Sequence, residues 1–430
     1  MIRKDNRVAI FNPASFDVLY LTPKEYSKLL EGENCAFQNI SKKTFNLYYD
    51  CGIIVDKVKE SEWNPVSVIL ANNFDTFPSR ISGMRLLMGE KCNLKCSYCY
   101  VKEKRSSYKL APHEAYRGLE ILCRSNADKD SVTIQYFGGE PLLYFPLIKK
   151  CDRWLDELQQ KYNIRKIYRN IVSNGTIMTD AIKKHLSMYK YGFSFSIDGK
   201  EYIHNLQRFG NYDKNTFQSI LRNMKELRET NIKMSINITP TPENISVLDG
   251  IVEFFISELG IDLIYMNTPI STNRGEWNIN GQLLAKSTYK ARMKAFALGG
   301  TFISVFDRIL NAIDFRMFSI HECVESDGTL FATYLPGNEF SVCDINWMDS
   351  KFRVSDDKIH LKKSYESIQK TLFPVSECHI CIAVGICGGP CQEEELAMRK
   401  INKGPLDKDR CAFYQEAVEL AIWHPSHIFE

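Results

Sequence analysis

The sequence predicts an α/β fold built around a partial (β/α)6 barrel of TIM-like type. Two observations predict it. From about Ser82 to Asn267, short apolar runs alternate with amphipathic stretches long enough to be helices. Strands separated by such helices imply parallel βαβ units with right-handed crossovers. Before and after this stretch the pattern changes, to a short mixed segment at the N-terminus and a Cys-rich segment at the C-terminus. We divide the chain at residues 1–80, 81–300 and 301–430.

The elements are read in order. Arg7–Phe11 and Asp17–Leu21 are short strands. Thr22-Pro23-Lys24-Glu25 opens a helix, with Thr22 as N-cap, Pro23 at the first helical position and Glu25 closing a capping box. That helix runs to about Glu31. Thr44–Tyr49 is a second helix, and Gly52–Val55 a further strand. In the barrel, Met84–Met88, Ser131–Phe137, Lys166–Val172, Gly192–Ile197, Ile232–Ile238 and Ile261–Asn267 are the six strands. The helices between them are Pro112–Arg124, Leu147–Tyr162, Asp180–Met188, Asn215–Thr230 and Ser246–Leu259. Leu283–Ala297 and Phe302–Phe315 bridge to the last segment, and Cys411–Ala421 closes it. In such barrels the loops at the C-terminal strand ends carry the chemistry.

Composition narrows the class. Over 430 residues, Lys and Arg exceed Asp and Glu by three, which argues against a globally basic nucleic-acid binder. Apolar content of 44% and charged content of 25% are those of a folded globular protein. No run of apolar residues approaches membrane-spanning length. The start, MIRKDNRVAIFNP, lacks the apolar core of a secretory signal, so the expected compartment is the cytoplasm.

The cysteines are unevenly placed. Of 14 in the chain, none lies in 152–322 and seven lie in 323–430. In a reducing compartment such a cluster is a metal-site signal rather than a disulfide framework. Cys35, Cys51, Cys123 and Cys151 are scattered and read as buried apolar residues. Cys92, Cys96 and Cys99 form a C-x3-C-x2-C trio after the first barrel strand. Three thiolates in one short loop can hold three irons of a four-iron, four-sulfur cluster and leave one iron open. Zinc sites usually need four protein ligands when structural, and commonly read C-x2-C twice.

C-x3-C-x-aromatic-C after a buried strand resembles the signature of the radical S-adenosylmethionine (radical SAM) superfamily. Three further strand ends strengthen the resemblance. Tyr136-Phe137-Gly138-Gly139-Glu140-Pro141-Leu142 looks like the family's GGEP loop. Ser173-Asn174-Gly175-Thr176 ends the third strand. Ser194-Phe195-Ser196-Ile197-Asp198-Gly199, followed by His204 and Arg208, is similar to the S-x-DG…H…R stretch. The resemblance implies that Cys92, Cys96 and Cys99 hold a [4Fe-4S] cluster whose open iron binds the methionine end of S-adenosylmethionine. Tyr98 would lie near the adenine. The Gly138–Glu140 loop would offer acceptors to the methionine ammonium, with glycines there for close backbone approach. Ser173 or Ser196 would touch the ribose, and Asn174, Asp198 and Arg208 complete the cofactor-binding set. Reductive cleavage of the cofactor would give a 5′-deoxyadenosyl radical, which the protein positions.

The C-terminal pattern is Cys378-x2-Cys381-x5-Cys387-x3-Cys391, then nineteen residues to Cys411, with Cys323, Gly337 and Cys343 upstream. It looks like a SPASM domain, which carries two auxiliary clusters. By that resemblance Cys323, Cys343 and Cys391 hold the first and Cys378, Cys381, Cys387 and Cys411 the second. The cofactor set is then S-adenosylmethionine and three [4Fe-4S] clusters. Five residues separate Gly337 from Cys343 where relatives have four. The first cluster lacks an eighth cysteine, so its fourth site is open or filled by a side chain such as His321 or Glu322. Asp344 matches the place where some relatives carry a proton-accepting acid and is the candidate catalytic residue. A zinc-stapled segment is the alternative reading of the same cysteines.

Relatives with SPASM domains modify peptides or proteins. The N-terminal segment is similar to the small winged-helix-like element that binds leader peptides in maturases of ribosomally made natural products (RiPP maturases). The reading is therefore a peptide maturase that installs a crosslink, a thioether first and a carbon–carbon bond second. Its partners would be a precursor peptide with its leader and an electron donor such as flavodoxin or ferredoxin, with no nucleic acid and no membrane. Alternatives are an anaerobic sulfatase-maturing enzyme forming formylglycine, a small-molecule dehydrogenase, and a non-enzymatic iron–sulfur or zinc binding module.

Overall fold

The computed structural model describes residues 2–4, 6–35, 41–52, 80–99, 108–210, 215–267, 279–314, 330–335, 337–341, 351–355, 358–361, 376–387 and 406–424. The predicted strand at Gly52–Val55 lies largely outside them, as do Cys323, Cys343, Cys391, Asp344, His321 and Glu322.

A three-stranded antiparallel sheet opens the chain: β1 (Ile2–Lys4), β2 (Arg7–Phe11) and β3 (Val18–Leu21), in spatial order β1-β2-β3. Helices α1 (Pro23–Cys35) and α2 (Lys42–Asp50) follow. The predicted capping box is present. The Glu25 carboxylate accepts from the Thr22 amide at 2.8 Å, and the Glu25 amide donates to the Thr22 hydroxyl at 3.3 Å. The helix runs one turn further than expected.

The predicted barrel strands are all present. They are β4 (Ile81–Leu87), β5 (Ser131–Phe137), β6 (Lys166–Ser173), β7 (Gly192–Ser196), β8 (Lys233–Ile238) and β9 (Leu263–Met266), each parallel to the next. Between them lie α3 (Pro112–Arg124), α4 (Phe145–Lys161), α5 (Asp180–Met188), α6 (Glu201–Gln207), α7 (Thr216–Arg228) and α8 (Leu248–Glu253). α8 is entered through a 3-10 turn at Ile245–Val247 and left through a π turn at Phe254–Glu258, so the helix read from sequence is three conformations. The caps are local: Thr179 accepts from the Ile182 amide and Asn215 from Gln218.

Five strands extend this sheet beyond expectation. The predicted helix at Phe302–Phe315 is instead a strand, β10 (Thr301–Ile303), parallel to β9, then α10 (Val305–Asp314) after α9 (Gly281–Ala297). The break falls at Ser304, whose hydroxyl accepts from the Phe306 amide and whose amide donates to Asp307 at 2.8 Å. On the other side β11 (Leu330–Leu335) pairs parallel with β4, and β12 (Glu339–Ser341), β13 (Lys351–Ser355) and β14 (Lys358–Leu361) continue antiparallel. Among the described residues the result is an eleven-stranded sheet with eight parallel strands running from the β10 edge to β11 and three antiparallel strands beyond, a mixed α/β architecture of partial-barrel type. Two short helices, α11 (Ser376–His379) and α12 (Val384–Cys387), precede the closing helix α13 (Lys408–Ile422).

Among the described residues two large apolar cores hold these layers, beside a small cluster of Leu21, Leu29 and Tyr48 that joins β3, α1 and α2. One fills the sheet and its helices, with Met84, Leu86, Ile134, Ile171, Phe193, Phe195 and Ile236 fully buried, and Cys123 and Cys151 among them as expected. The other joins the two chain ends: Ala9, Phe11 and Phe16 pack with Phe306, Ile386, Phe413, Val418 and Trp423. Behind the sheet, buried Asp152 on α4 accepts from Tyr136, Arg169 and Tyr191 and meets His185, which ties α4 to β5, β6 and α5. Among the described residues no helix is long and apolar enough to cross a membrane.

Candidate active site

The three cysteines of the first trio lie in one loop after β4. Backbone bonds from a distant segment shape that loop. The Lys95 amide donates to the Phe209 carbonyl at 2.7 Å, and the Ser97 amide to the Gln207 carbonyl at 2.9 Å. The Ser97 hydroxyl also donates to the Gln207 side chain, and Leu94 bridges Gly210. Residues 207–210 therefore hold the cysteines in place, and sequence reasoning did not single out Gln207, Phe209 or Gly210. Most of these partners are backbone groups, which leave no side-chain signature to read.

The stem of the loop is clamped by the glycines after β5. The Gly139 amide donates to the Gly89 carbonyl, and the Glu140 amide to the Lys91 carbonyl, both at 2.9 Å. A Cβ on Gly138, where φ is +142°, would stand 2.4 Å from the Gly89 carbonyl oxygen. A Cβ on Gly139 would stand 2.5 Å from the carbonyl oxygens of both Glu90 and Lys91. The close approach that these glycines allow is to the cysteine loop itself.

Glu140 is completely buried and turned toward the end of β6. One carboxylate oxygen accepts from the Leu142 amide (3.0 Å) and the Ser173 hydroxyl (2.9 Å), the other from the Asn174 amide (2.8 Å). Burial pushes its pKa up to about 7, against the pull of those donors. Ser173 also accepts from the Gly175 amide at 3.0 Å, so its hydroxyl shapes this turn. Asn174 is thereby aimed at the cysteine loop, its amide donating to Asn93 Oδ1 at 2.9 Å and reaching Cys92 Sγ at 3.7 Å. Asn93 donates in turn to Thr176 at 2.8 Å.

The end of β7 supplies the charged half. Asp198 is fully buried and accepts from Tyr98 Oη at 2.6 Å, Arg208 Nε at 2.7 Å and the Thr239 amide at 3.0 Å. The Arg208 guanidinium lies 5.3 Å from the Tyr98 ring centroid, and its Nη1 stands 4.0 Å from Cys96 Sγ. Asn244 donates to the Asp198 carbonyl and fixes the same turn from β8's side. Ser196 closes β7, buried and opposite Asn237. His204 lies away from the loop, its Nε2 at 3.1 Å from the Thr216 hydroxyl, and burial pushes its pKa down to about 4. Thr216 donates to the Arg208 carbonyl at 2.6 Å, so His204 braces the turn that presents Arg208.

Tyr98, Gly138, Gly139, Glu140, Ser173, Asn174, Asp198 and Arg208 thus converge around Cys92, Cys96 and Cys99. Burial pushes the Cys96 thiol up to about 11, with Arg208 opposing. A buried thiol gives up its proton to a metal cation, and donors aimed at the sulfurs stabilise the thiolates. The Leu94 amide and Asn174 reach Cys92, and Arg208 faces Cys96. Among the described residues no three His, Cys, Asp or Glu stand close enough to hold one metal ion. A four-iron cluster takes one cysteine per iron, so wider spacing suits it.

A second group of thiols lies at the C-terminal end. Cys378 is on α11, Cys381 follows it, Cys387 ends α12 and Cys411 lies in the first turn of α13. Burial pushes the Cys411 thiol up to about 12, and the charges of Cys387, Cys381 and Cys378 act on it in the same direction. Donors point at two of the sulfurs: Arg410 Nη1 at 3.1 Å from Cys387 and Gln415 Nε2 at 3.6 Å from Cys381.

The strand ends of the parallel barrel sheet gather a three-cysteine loop, a glycine clamp and a buried acid–arginine pair in one radical SAM domain. Residues 86–255 match the model of the radical SAM superfamily. The cysteine-type anaerobic sulfatase-maturating enzyme of Clostridium perfringens (strain 13 / Type A) is 25% identical over 363 residues, 77% of this chain and 93% of that one. The fold is also that of native anSMEcpe with bound AdoMet and Cp18Cys peptide, with a TM-score of 0.60 at 21% identity over 81% of this chain and 98% of the other. Streptococcus suis SuiB bound to precursor peptide SuiA aligns over 94% of this chain and 96% of its own, with a TM-score of 0.55 at 14% identity.

Proposed function

We propose that this enzyme is a peptide maturase that acts on a ribosomally made precursor and installs a crosslink, a thioether before a carbon–carbon bond. The observation that carries the reading is the combination of the radical SAM site with an N-terminal three-stranded sheet followed by two helices. An extended leader peptide can add to such a sheet as a further strand, with backbone hydrogen bonds for affinity and side-chain pockets for specificity. The SuiB likeness, which covers 94% of this chain, is to a structure solved with a precursor peptide.

Cys92, Cys96 and Cys99 would hold the cluster that binds S-adenosylmethionine. Cys378, Cys381, Cys387 and Cys411 would hold one auxiliary cluster, and Cys323, Cys343 and Cys391 the other, as in a SPASM domain. When bound, these groups supply a 5′-deoxyadenosyl radical and an acceptor for one electron, with flavodoxin or ferredoxin as the first reductant. The chain's own work is positional. Asp198 orients Tyr98 and Arg208 toward the cofactor, Glu140 and Ser173 hold Asn174 against the cysteine loop, and the parallel sheet excludes water beneath them. Asp344 is the proposed acceptor of a substrate proton.

Anaerobic reconstitution should give about twelve irons per chain and 5′-deoxyadenosine under reductant. Cys96→Ala should abolish that product, and continued cleavage in the variant contradicts the site. A precursor peptide, sought among the short reading frames beside the gene, should lose two hydrogens per crosslink. A second reading, formylglycine formation, is favoured by the similarity to the sulfatase-maturating enzyme. Conversion of a Cys or Ser in a sulfatase-derived peptide, with the neighbouring precursor untouched, would select it.

A further inference from the structure

Arg410 is a cation in an unusual place. It is 2% exposed, on the first turn of α13, one residue before Cys411. Its side chain grips the end of α12: Nη1 stands 3.1 Å from Cys387 Sγ, and Nη2 donates to the Cys387 carbonyl at 3.4 Å. The guanidinium is held in this pose by the Tyr414 ring, 5.1 Å from its carbon, and Tyr414 is itself fixed by Arg308 at 2.9 Å. Its backbone amide donates to the Asp407 cap at 3.1 Å, which fixes the turn it projects from. On the same helix, five residues on, Gln415 directs its amide to Cys381 Sγ at 3.6 Å. One helix thus contributes a thiol and aims a charged and a neutral donor at two others.

We propose that Arg410, seconded by Gln415, sets the reduction potential of the cluster held by Cys378, Cys381, Cys387 and Cys411. The inference rests on that ligand set. Reduction adds one negative charge to a cluster and its thiolates. A hydrogen-bonded cation at a ligand sulfur stabilises the reduced form more than the oxidised form, and so raises the potential. Partial burial keeps solvent from screening that charge. Arg410 is a positioning residue here: it touches a ligand sulfur and not the substrate.

The test is a redox titration of the reconstituted full-length enzyme, followed by electron paramagnetic resonance, beside iron counting. Arg410→Gln should make the auxiliary midpoint more negative by at least about tenfold in the reduction equilibrium, which is about 59 mV for a one-electron couple. Arg410→Lys keeps the charge without the fork and should shift it less. The midpoint of the cluster held by Cys92, Cys96 and Cys99 should not move in either. An iron-replete Arg410 variant with an unchanged auxiliary midpoint overturns the proposal and leaves the ligand set standing. Wild-type enzyme that retains iron for the first trio alone overturns the ligand set beneath it. If both Arg410 variants shed auxiliary iron, Gln415→Leu decides. At that exposed position the midpoint should still fall, by a smaller step, and no fall overturns the proposal.

Discussion

At the scale of single residues, the site is governed by two buried polar groups, Asp198 and His204. Asp198 must keep its partners, because Arg208 and Tyr98 both donate to its carboxylate. Asp198→Asn leaves a buried guanidinium without that carboxylate and should cost about 3–5 kcal/mol of stability. Calorimetry of the variant should show that loss together with weaker S-adenosylmethionine binding; wild-type stability would contradict the pairing. His204 must be neutral, since burial holds its pKa near 4, below the usual value near 6.5. The folded form therefore binds fewer protons than the unfolded form between those pH values. The stability from neutral His204 is complete above pH 6.5 and is lost as pH falls toward 4, by about 3 kcal/mol at most. The thermal midpoint of His204→Gln should depend less on pH across that window than that of wild type, and parallel curves would refute it. The motif residues Asp198, His204 and Arg208 were all legible in the sequence, but their division of labour was not. Sequence order places them in one stretch after β7; only the fold shows that Arg208 faces the cysteines while His204 faces Thr216.

Among elements, the cysteine loop is held from three sides: by the glycine clamp, by residues 207–210 and by Asn174. The clamp gives the sharpest prediction. Gly139→Ala drives a methyl group against two backbone carbonyls that cannot rotate away, and overpacking of this kind costs about 1–3 kcal/mol. The variant should reconstitute less iron at the first trio and form 5′-deoxyadenosine slowly. Gly250→Ala on α8, where a Cβ meets nothing within 4 Å, is the matched control and should behave as wild type. Most elements were legible because their signals are local. The Thr22–Glu25 box, the alternating strands and the amphipathic helices each depend on residues a few positions apart. β10 was not, because three residues carry too little pattern to compete with the helical periodicity that follows. β11–β14 were missed for a related reason. They lie in a segment with short apolar runs, and the pairing of β11 with β4, which anchors the others, is set by residues some 250 positions earlier.

For the whole molecule, the two ends of the chain make one structure. Tyr20 on β3 donates to the Ile422 carbonyl at the end of α13 and packs on Trp423, with ring centroids 5.5 Å apart. Pro13 and Phe16 press on Gly385, where a Cβ would stand 2.6 Å from the Phe16 ring and 2.8 Å from the Pro13 carbonyl oxygen. Gly385 lies between Cys381 and Cys387, so the N-terminal sheet rests on the thiol-bearing loop. Nothing in the local sequence announces a contact of this span. It follows that Cys411→Ala should do more than remove auxiliary iron: the shared core should loosen, and limited proteolysis should begin to cut within the first 20 residues. Resistance equal to wild type would show that the sheet stands without its support. Leader capture is tested from the peptide side, which leaves this core intact. A proline placed in the leader removes a backbone donor, so it should abolish binding if the leader joins the sheet edge, whereas unchanged affinity excludes that mode.

The Tyr20–Ile422 contact joins residues 402 positions apart, which has a consequence for biogenesis. At translation rates of about 5–20 residues per second, the opening hairpin emerges roughly 20–80 s before the helix that completes it. Throughout that interval Phe11, Phe16 and Tyr20 lack the closing helix that completes their cover. The nascent polypeptide is then a natural client for chaperones, and a ribosome that stalls short of the final helix releases a product with a sticky, protease-ready start.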